Sequence, residues 1–390
     1  MHSVNKTVLL TGATGFLGSH LMIMLLQNGY HLQVLGRPGK EQPLRTRLRN
    51  LLNWFAASHL ADHVTAFETN FEKADLGLSR QDYAQLCAAA PIFIHCAADT
   101  SFAERNRQRV MALNVHVLEG ILQLVKKSRA SCFHYFSTAY AVGDVAGAIP
   151  ELPVNTDRFH NVYEESKALA ESRVSRYCED FSIPYTIIRP AIVYGDSVSG
   201  RSLKFNALYS PVKSMRLIRD IYLHDLQKNG GSKSAKYGIF IDVDGYLHLP
   251  IRIFLPHEGF INLIPVDYFT AAAVAIIENP SAGRIYHISS STPSNMETLA
   301  DYTEEFLRIK GLEVIYQSPD RDTMFNPPEE LLDHFINPFY PYLSDKRCFE
   351  KKNTDEVTGG LIPAELSYDI FARCMDYAHS VEWGKAFRDF

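Results

Sequence analysis

Short apolar runs alternate with longer stretches of helical character along the first half of this chain. The runs fall at Thr7–Leu10, Leu32–Leu35, Val64–Phe67, Ile92–His95, Cys132–Phe136 and Tyr185–Arg189. The helical stretches lie between them, at Phe16–Asn28, Leu44–His59, Asp82–Ala89, Arg107–Lys127 and Glu164–Asp180. The runs lack polar alternation, which is the pattern of strands covered on both faces. Parallel strands need crossovers, and intervening helices supply them. The pattern predicts an α/β fold, a doubly wound parallel sheet of the Rossmann kind, over residues 1–195.

Beyond Gly195 the rhythm breaks. Lys228–Lys236 is polar, contains glycine and reads as a surface loop. Phe240–Pro265 mixes apolar residues with proline and glycine and shows no clean period. A helix resumes at Asp267–Glu278, followed by a strand at Arg284–Ile288. Pro319–Tyr342, rich in proline and aromatics, is expected to be ordered only by packing on something else. At 390 residues the chain exceeds a usual single core. The expected organisation is a main domain over 1–195, with 262–290 returning to it, and a smaller C-terminal cap from 196–261 and 291–390.

Composition narrows the class without naming it. Hydrophobic residues make up 46% and charged residues 21%, as in ordinary globular chains. The net charge of −5 leaves no basic stripe, so nucleic acid is not an expected partner. Cys87, Cys96, Cys132, Cys178, Cys348 and Cys374 form no C-x-x-C pair. Neither a metal site nor a disulfide framework is therefore expected, and reduced thiols fit a cytoplasmic protein. The apolar stretch Val8–Leu26 is interrupted by Gly12, Gly15, Gly18 and His20. A membrane span needs ~20 consecutive apolar residues, so no transmembrane segment or export signal is expected there.

The strongest local feature is Thr7-Val-Leu-Leu-Thr-Gly-Ala-Thr-Gly-Phe-Leu-Gly18. A strand runs into Gly12-x-x-Gly15-x-x-Gly18, and an apolar helix opens at Phe16. Gly12 permits the turn, Gly15 lets backbone approach a pyrophosphate, and Gly18 lets helix and strand pack closely. The end of the second strand reads Leu35-Gly-Arg37-Pro-Gly-Lys40, with no acid before Glu41. An acid there would hold a ribose 2′-hydroxyl, whereas arginine suits a 2′-phosphate, so Arg37 argues for NADPH. Arg47 either clamps the same phosphate or belongs to a solvated helix face.

Tyr163-Glu-Glu-Ser-Lys167 places a phenol and an ammonium four positions apart, on one face of a helix. An ammonium beside a phenol stabilises the phenolate, lowers its pKa and makes proton transfer useful. Upstream, Phe136-Ser-Thr-Ala-Tyr140 ends a strand, where side chains face the ligand crevice. Thr138 is placed to donate to a substrate carbonyl, with Ser137 as the alternative.

TGATGFLG, HCAADTSF, Asn114-Val115, FSTAYAVG, YEESK and IIRPAIVYGDS occur in that order. Together they resemble the extended short-chain dehydrogenase/reductase superfamily, over residues 4 to 290. Leu76-Gly-Leu-Ser79, His95-x-Ala-Ala98, Ser137-Thr-Ala-Tyr140, Gly195-Asp-Ser197 with Gly200, and Ile261-Asn-Leu-Ile-Pro-Val-Asp267 resemble its thioester reductase-like branch. That branch includes fatty acyl reductases and the terminal reductase domains of carboxylic acid reductases and nonribosomal peptide synthetases. The resemblance implies NADPH-dependent reduction of an acyl thioester to an aldehyde, possible further reduction to an alcohol, and a triad on Thr138, Tyr163 and Lys167. It implies cofactor contacts at Gly12, Thr14, Gly15, Phe16, Leu17 and Gly18, and at Arg37, Arg47, Asn70 and Phe71. It extends them to Ala97, Ala98, Asn114, Pro190 and Ile192.

The chain departs from the branch at Thr69-Asn70-Phe71, where Gly-Asp-Leu is usual beside adenine. With no adenylation or carrier domain in this sequence, the thioester is expected on a separate acyl or peptidyl carrier protein or on coenzyme A. The cap gives weaker signals. Ile251–Leu255, Phe335, Phe339, Tyr340 and Tyr342 suit either an acyl tunnel or plain core. Arg216, Arg219, Lys228, Lys233 and Lys236 suit either an acidic carrier or a solvated face. His95 is expected to pack against the nucleotide-binding loop. Two rivals share the scaffold: a ketone or aldehyde reductase or nucleotide-sugar epimerase or dehydratase, and a non-catalytic NADP-binding sensor.

Overall fold

A computed structural model describes residues 6–89, 91–320 and 323–387. Seven strands form the central sheet: β1 (Thr7–Thr11), β2 (His31–Gly36), β3 (Val64–Glu68), β4 (Ile92–His95), β5 (Cys132–Phe136), β6 (Tyr185–Pro190) and β7 (Arg284–Ile288). Their spatial order is β7-β6-β5-β4-β1-β2-β3, and every pair is parallel. The order reverses between β1 and β4, the switch point outside which ligands bind in such sheets.

Both sheet faces are covered, because alternate residues of each strand point to opposite sides. Val8, Leu10 and Ile188 pack with helices Phe16–Gln27 and Val266–Glu278. Leu9, Phe93, Phe133 and Ile187 pack with helices Leu118–Lys127 and Val162–Asp180. The α/β reading therefore holds, with strand ends moved by a residue.

Two helices differ from the sequence expectation. The stretch Leu44–His59 is a helix only to Trp54, followed by a separate short turn at Ser58–His63. The Arg107–Lys127 stretch is broken by a π-helical turn at Ala112–His116. That turn carries Asn114, which bonds across to the loop after β4. Such turns widen a helix where a side chain must reach sideways.

The region after Gly195 is more regular than its sequence implied. It contains the 20-residue helix Tyr209–Lys228, whose buried Val212, Met215, Ile218 and Tyr222 recur at helical spacing. Strand Leu247–Phe254 alternates buried and open positions, with a register shift between His248 and Ile251 where Pro250 sits. A proline withdraws one ladder donor and forces such an irregularity, which is why the strand was hard to read. Within the expected loop Lys228–Lys236, Ser232–Ala235 forms one helical turn. Pro327–Ile336 is a helix with its own capping box: Asn326 Oδ1 accepts from the Glu329 N–H at 2.9 Å, and the Glu329 carboxylate accepts from the Asn326 N–H at 2.8 Å. Local chemistry, and not only packing, orders that segment.

Two short pairings, each a separate two-stranded sheet, stitch the later chain to the first half. Leu263–Pro265 pairs parallel with Ile192–Tyr194, and Arg347–Phe349 pairs parallel with Gly147–Ile149. Among the described residues, no helix is long and apolar enough to cross a membrane.

Candidate active site

The end of β1 turns sharply at Gly12, which has φ +81°. A Cβ there would lie 2.6 Å from Ala97 N, so a side chain cannot be added without moving the end of β4. A Cβ on Gly18 would lie 2.1 Å from Gly12 O. Glycine at both positions thus lets turn, helix and neighbouring strand close on one another. Gly15 caps helix Phe16–Gln27 without a side chain, leaving first-turn amides for an anion. His95 is buried beside this turn, its Nδ1 2.8 Å from Thr11 Oγ1 and its ring stacked on Tyr135. Burial pulls its pKa down to about 3, so the ring is neutral.

At the end of β2, Arg37 and Arg47 both border the cavity that begins at the glycine turn. Arg47 Nη1 donates to the Arg37 carbonyl at 3.2 Å. Burial, and then the Arg37 charge, lower the Arg47 pKa. Two arginines bordering the same cavity, one anchored to the backbone of the other, suit a multiply charged anion.

Thr138, Tyr163 and Lys167 line the same cavity. Thr138 Oγ1 accepts the Tyr140 N–H at 3.3 Å, and the Thr138 side chain hydrogen-bonds the Tyr163 phenol. Lys167 is buried; its Nζ donates to the Phe136 carbonyl at 2.6 Å and to the Tyr135 hydroxyl at 3.2 Å. Burial lowers its pKa to about 8, against the raising influence of Cys96 and Glu171. The expected lowering of the Tyr163 pKa is not seen. Burial, then the neighbouring Cys96, raise it, and only the Thr138 hydrogen bond opposes them. Lys167, its protons on the Phe136 carbonyl and the Tyr135 hydroxyl, does not offset them.

The whole cavity is about 1590 Å³ and is bordered by residues from Gly12 to Phe371. Its charged lining residues, among them Arg37, Arg109, Lys167 and Lys204, all precede residue 206. From there to Phe371 the lining is aliphatic or aromatic, save Asn206, Thr303 and the hydroxyl of Tyr342. The Thr303 hydroxyl is engaged with the Leu299 carbonyl at 2.7 Å.

The family described as male sterility protein, an NAD-binding family, matches residues 10–273. The chain belongs to that family. It falls in the thioester reductase-like branch of the extended short-chain dehydrogenases/reductases. Nonribosomal peptide synthetase asaC of Aspergillus flavus is 26% identical over 381 residues, 90% of this chain and 33% of that protein. Fatty acyl-CoA reductase 2 of Mus musculus is 27% identical over 226 residues, 48% of this chain and 43% of that protein. The chain thus spans less than half the length of either relative. The terminal R domain from the myxalamid PKS-NRPS biosynthetic pathway has the same fold, with TM-score 0.75 at 21% identity, covering 99% of this chain and 93% of that one. UDP-glucuronic acid 4-epimerase from Bacillus cereus in complex with NAD shares it at TM-score 0.63 and 17% identity, covering 96% of this chain and 99% of that one.

In this member of the male sterility protein family, most residues singled out from sequence border one cavity. They are Gly12, Thr14, Gly15, Phe16, Leu17, Gly18, Arg37, Arg47, Phe71, Ala97, Ala98, Pro190 and Ile192, beside the three catalytic candidates. Asn70 and Asn114 are exceptions. Asn70 is exposed, and its Oδ1 accepts the Glu72 N–H at 3.1 Å within its own turn. Asn114 is buried behind the wall, where its amide bonds the Asp99 backbone at 2.7 and 2.8 Å and Ser166 Oγ at 2.9 Å. It ties the loop after β4 to the helix carrying Tyr163. Of the basic residues considered for a carrier, Arg216 and Arg219 face Asp220 on their own helix. Phe335 and Tyr340 lie outside the cavity lining, whereas Ile253, Phe339 and Tyr342 belong to it.

Sequence reading missed Lys204 and Phe102, which also line the cavity. Lys204 lies in the aperiodic stretch after Gly195, where no pattern marks it. Phe102 was visible as the last residue of HCAADTSF, but nothing in that motif tells which side chain turns inward.

Proposed function

We propose that this chain reduces an acyl thioester with NADPH, releasing an aldehyde and a thiol. The observation that carries the reading is one cavity bordered by three sets of residues: a glycine turn with two arginines, the Thr138, Tyr163 and Lys167 group, and an uncharged lining from the later chain. The relatives' reductase names and the family support thioester reduction in general. A nicotinamide cofactor fits the residues present, since Gly15 leaves the first-turn amides of helix Phe16–Gln27 open where that turn borders the cavity, a place suited to a pyrophosphate. Gly12 to Gly18 would hold the pyrophosphate, Arg37 and Arg47 the 2′-phosphate, and Lys167 the nicotinamide ribose.

Reduced nicotinamide supplies the hydride. The thioester carbonyl would sit within reach of Thr138 and Tyr163, where negative charge develops on its oxygen. Preorganised donors in a site with little water stabilise that charge most effectively. Thr138 donates to the oxygen, and Tyr163 transfers its proton to it, giving a neutral hemithioacetal. By turning an ammonium proton from the Phe136 carbonyl or the Tyr135 hydroxyl towards Tyr163, the Lys167 cation would stabilise the phenolate left behind. Collapse of the hemithioacetal breaks the carbon–sulfur bond, and the thiol leaves with the hydroxyl proton. A second round on the aldehyde would give the alcohol.

The cap zone also weighs against a sugar nucleotide as substrate. Burying a polar, charged group against aliphatic side chains without partners costs several kcal/mol, roughly 2–7 for an unpaired polar group. The deciding assay follows the loss of reduced-nicotinamide absorbance and the release of free thiol with a panel of acyl-CoA and acyl-carrier thioesters. Turnover with stoichiometric thiol, absent in Tyr163→Phe, is expected. Consumption of ketones or aldehydes without any thioester turnover would refute the thioester reading.

A further inference from the structure

Tyr342 comes from late in the chain and meets the wall that carries Tyr163. Its hydroxyl accepts from Asn161 Nδ2 at 2.6 Å and donates to Glu164 Oε1 at 2.7 Å. These two residues bracket Tyr163. Asn161 caps helix Val162–Asp180, its Oδ1 accepting the backbone N–H groups of Tyr163 and Glu164, each at 3.1 Å. Glu164 has no exposed surface. Its carboxylate also accepts the His160 N–H at 3.0 Å, lies 3.2 Å from His160 Nδ1, and faces Arg347 at 3.8 Å. A carboxylate buried this deeply needs its lone pairs met, so each donor constrains where the helix start can lie.

A second route joins the same residues through their rings. Tyr342 packs on Phe102 with centroids 5.4 Å apart, and Phe102 packs on Tyr163 at 5.9 Å. Both Tyr342 and Phe102 line the cavity. An ordinary core tyrosine would need only burial. This one borders the reaction space while its hydroxyl engages the residues on either side of Tyr163.

We infer that Tyr342 is a positioning residue for Tyr163, holding the first turn of its helix through Asn161 and Glu164. The inference rests on the proposed role of Tyr163. It predicts that removing one oxygen from the cap loosens the phenol without disturbing the glycine turn.

The test is Tyr342→Phe in the full chain, read three ways. Thioester turnover should show kcat about ten-fold lower, the rate equivalent of one hydrogen bond. NADPH affinity, from fluorescence titration, should stay unchanged. Hydrogen exchange at the Tyr163 and Glu164 amides should quicken about ten-fold while amides of the central sheet keep their rates. Asn161→Ser, which retains a capping oxygen but loses the donor to Tyr342, should give the same pattern and serves if Tyr342→Phe fails to fold. Unchanged exchange at Tyr163 in a folded variant would overturn the inference, as would unchanged kcat despite faster exchange. If the unmodified protein turns over no thioester, quickened exchange at these two amides still supports the tie, and the thioester reading alone falls.

Discussion

Lys167 shows how a single buried charge sets a working range. Burial brings its pKa to about 8 from an ordinary 10.5. The proposed role needs the cation, so kcat/KM should fall as pH rises through about 8, and a pH profile checks this. Lys167→Arg, charged throughout, should lose that alkaline limb even where its kcat is lower. The same shift touches stability with the opposite sense. Between about 8 and 10.5 the unfolded chain binds more protons at this position than the folded one, so this contribution makes stability rise with pH across that window. Tyr163→Phe should lower kcat by about 100-fold or more with cofactor affinity intact. Arg37→Ala should weaken NADPH binding about ten-fold while leaving NADH binding unaltered, measured by titrating both. The spacing of Tyr163 and Lys167 was readable because a helix brings positions four apart together. Their pKa values were not, because burial and the Phe136 carbonyl come from tertiary structure.

Among the elements, the turn after β1 was the most legible and Leu247–Phe254 the least. Glycine spacing reports a backbone requirement directly. In that strand Pro250 hides an alternation that Leu247, Leu249, Ile251 and Ile253 otherwise carry. Helix Tyr209–Lys228 was legible in principle through its apolar spacing, but its surroundings lacked period. Asn114 illustrates a different loss: its motif was visible, yet its partners Asp99 and Ser166 come together only through folding. The turn supports a graded prediction. A Cβ on Gly18 would meet Gly12 O at 2.1 Å, whereas one on Gly15 would stand 3.2 Å from the same atom. Gly18→Ala should therefore lower the melting temperature more than Gly15→Ala, by an overpacking cost of about 1–3 kcal/mol. Paired thermal melts without cofactor measure the difference.

Across the whole molecule, the sheet interior keeps several imidazoles neutral. His95, His134 and His287 are buried, and burial is the first cause that brings each to about 3, with nearby Lys167 and Arg189 assisting at His95 and His287. Their ordinary value is 6.5, so between 6.5 and about 3 the unfolded chain binds more protons than the folded one. Stability should fall steadily as pH drops through that window. Denaturant melts at a series of values from neutrality to about pH 5 would show it, and a flat series would contradict the burial of these rings.

The pairing of Arg347–Phe349 with Gly147–Ile149 has a consequence for how the molecule is born. Arg347 Nη1 donates to the Gly143 carbonyl at 2.9 Å across a sequence separation of 204 residues. On a ribosome, β1 to β6 emerge well before the segment bearing Tyr342 and Arg347 exists. A nascent chain can therefore acquire its dinucleotide-binding half while the wall around Tyr163 is still open. On the proposed function, the surroundings of Tyr163 would be completed last, with the final stitch.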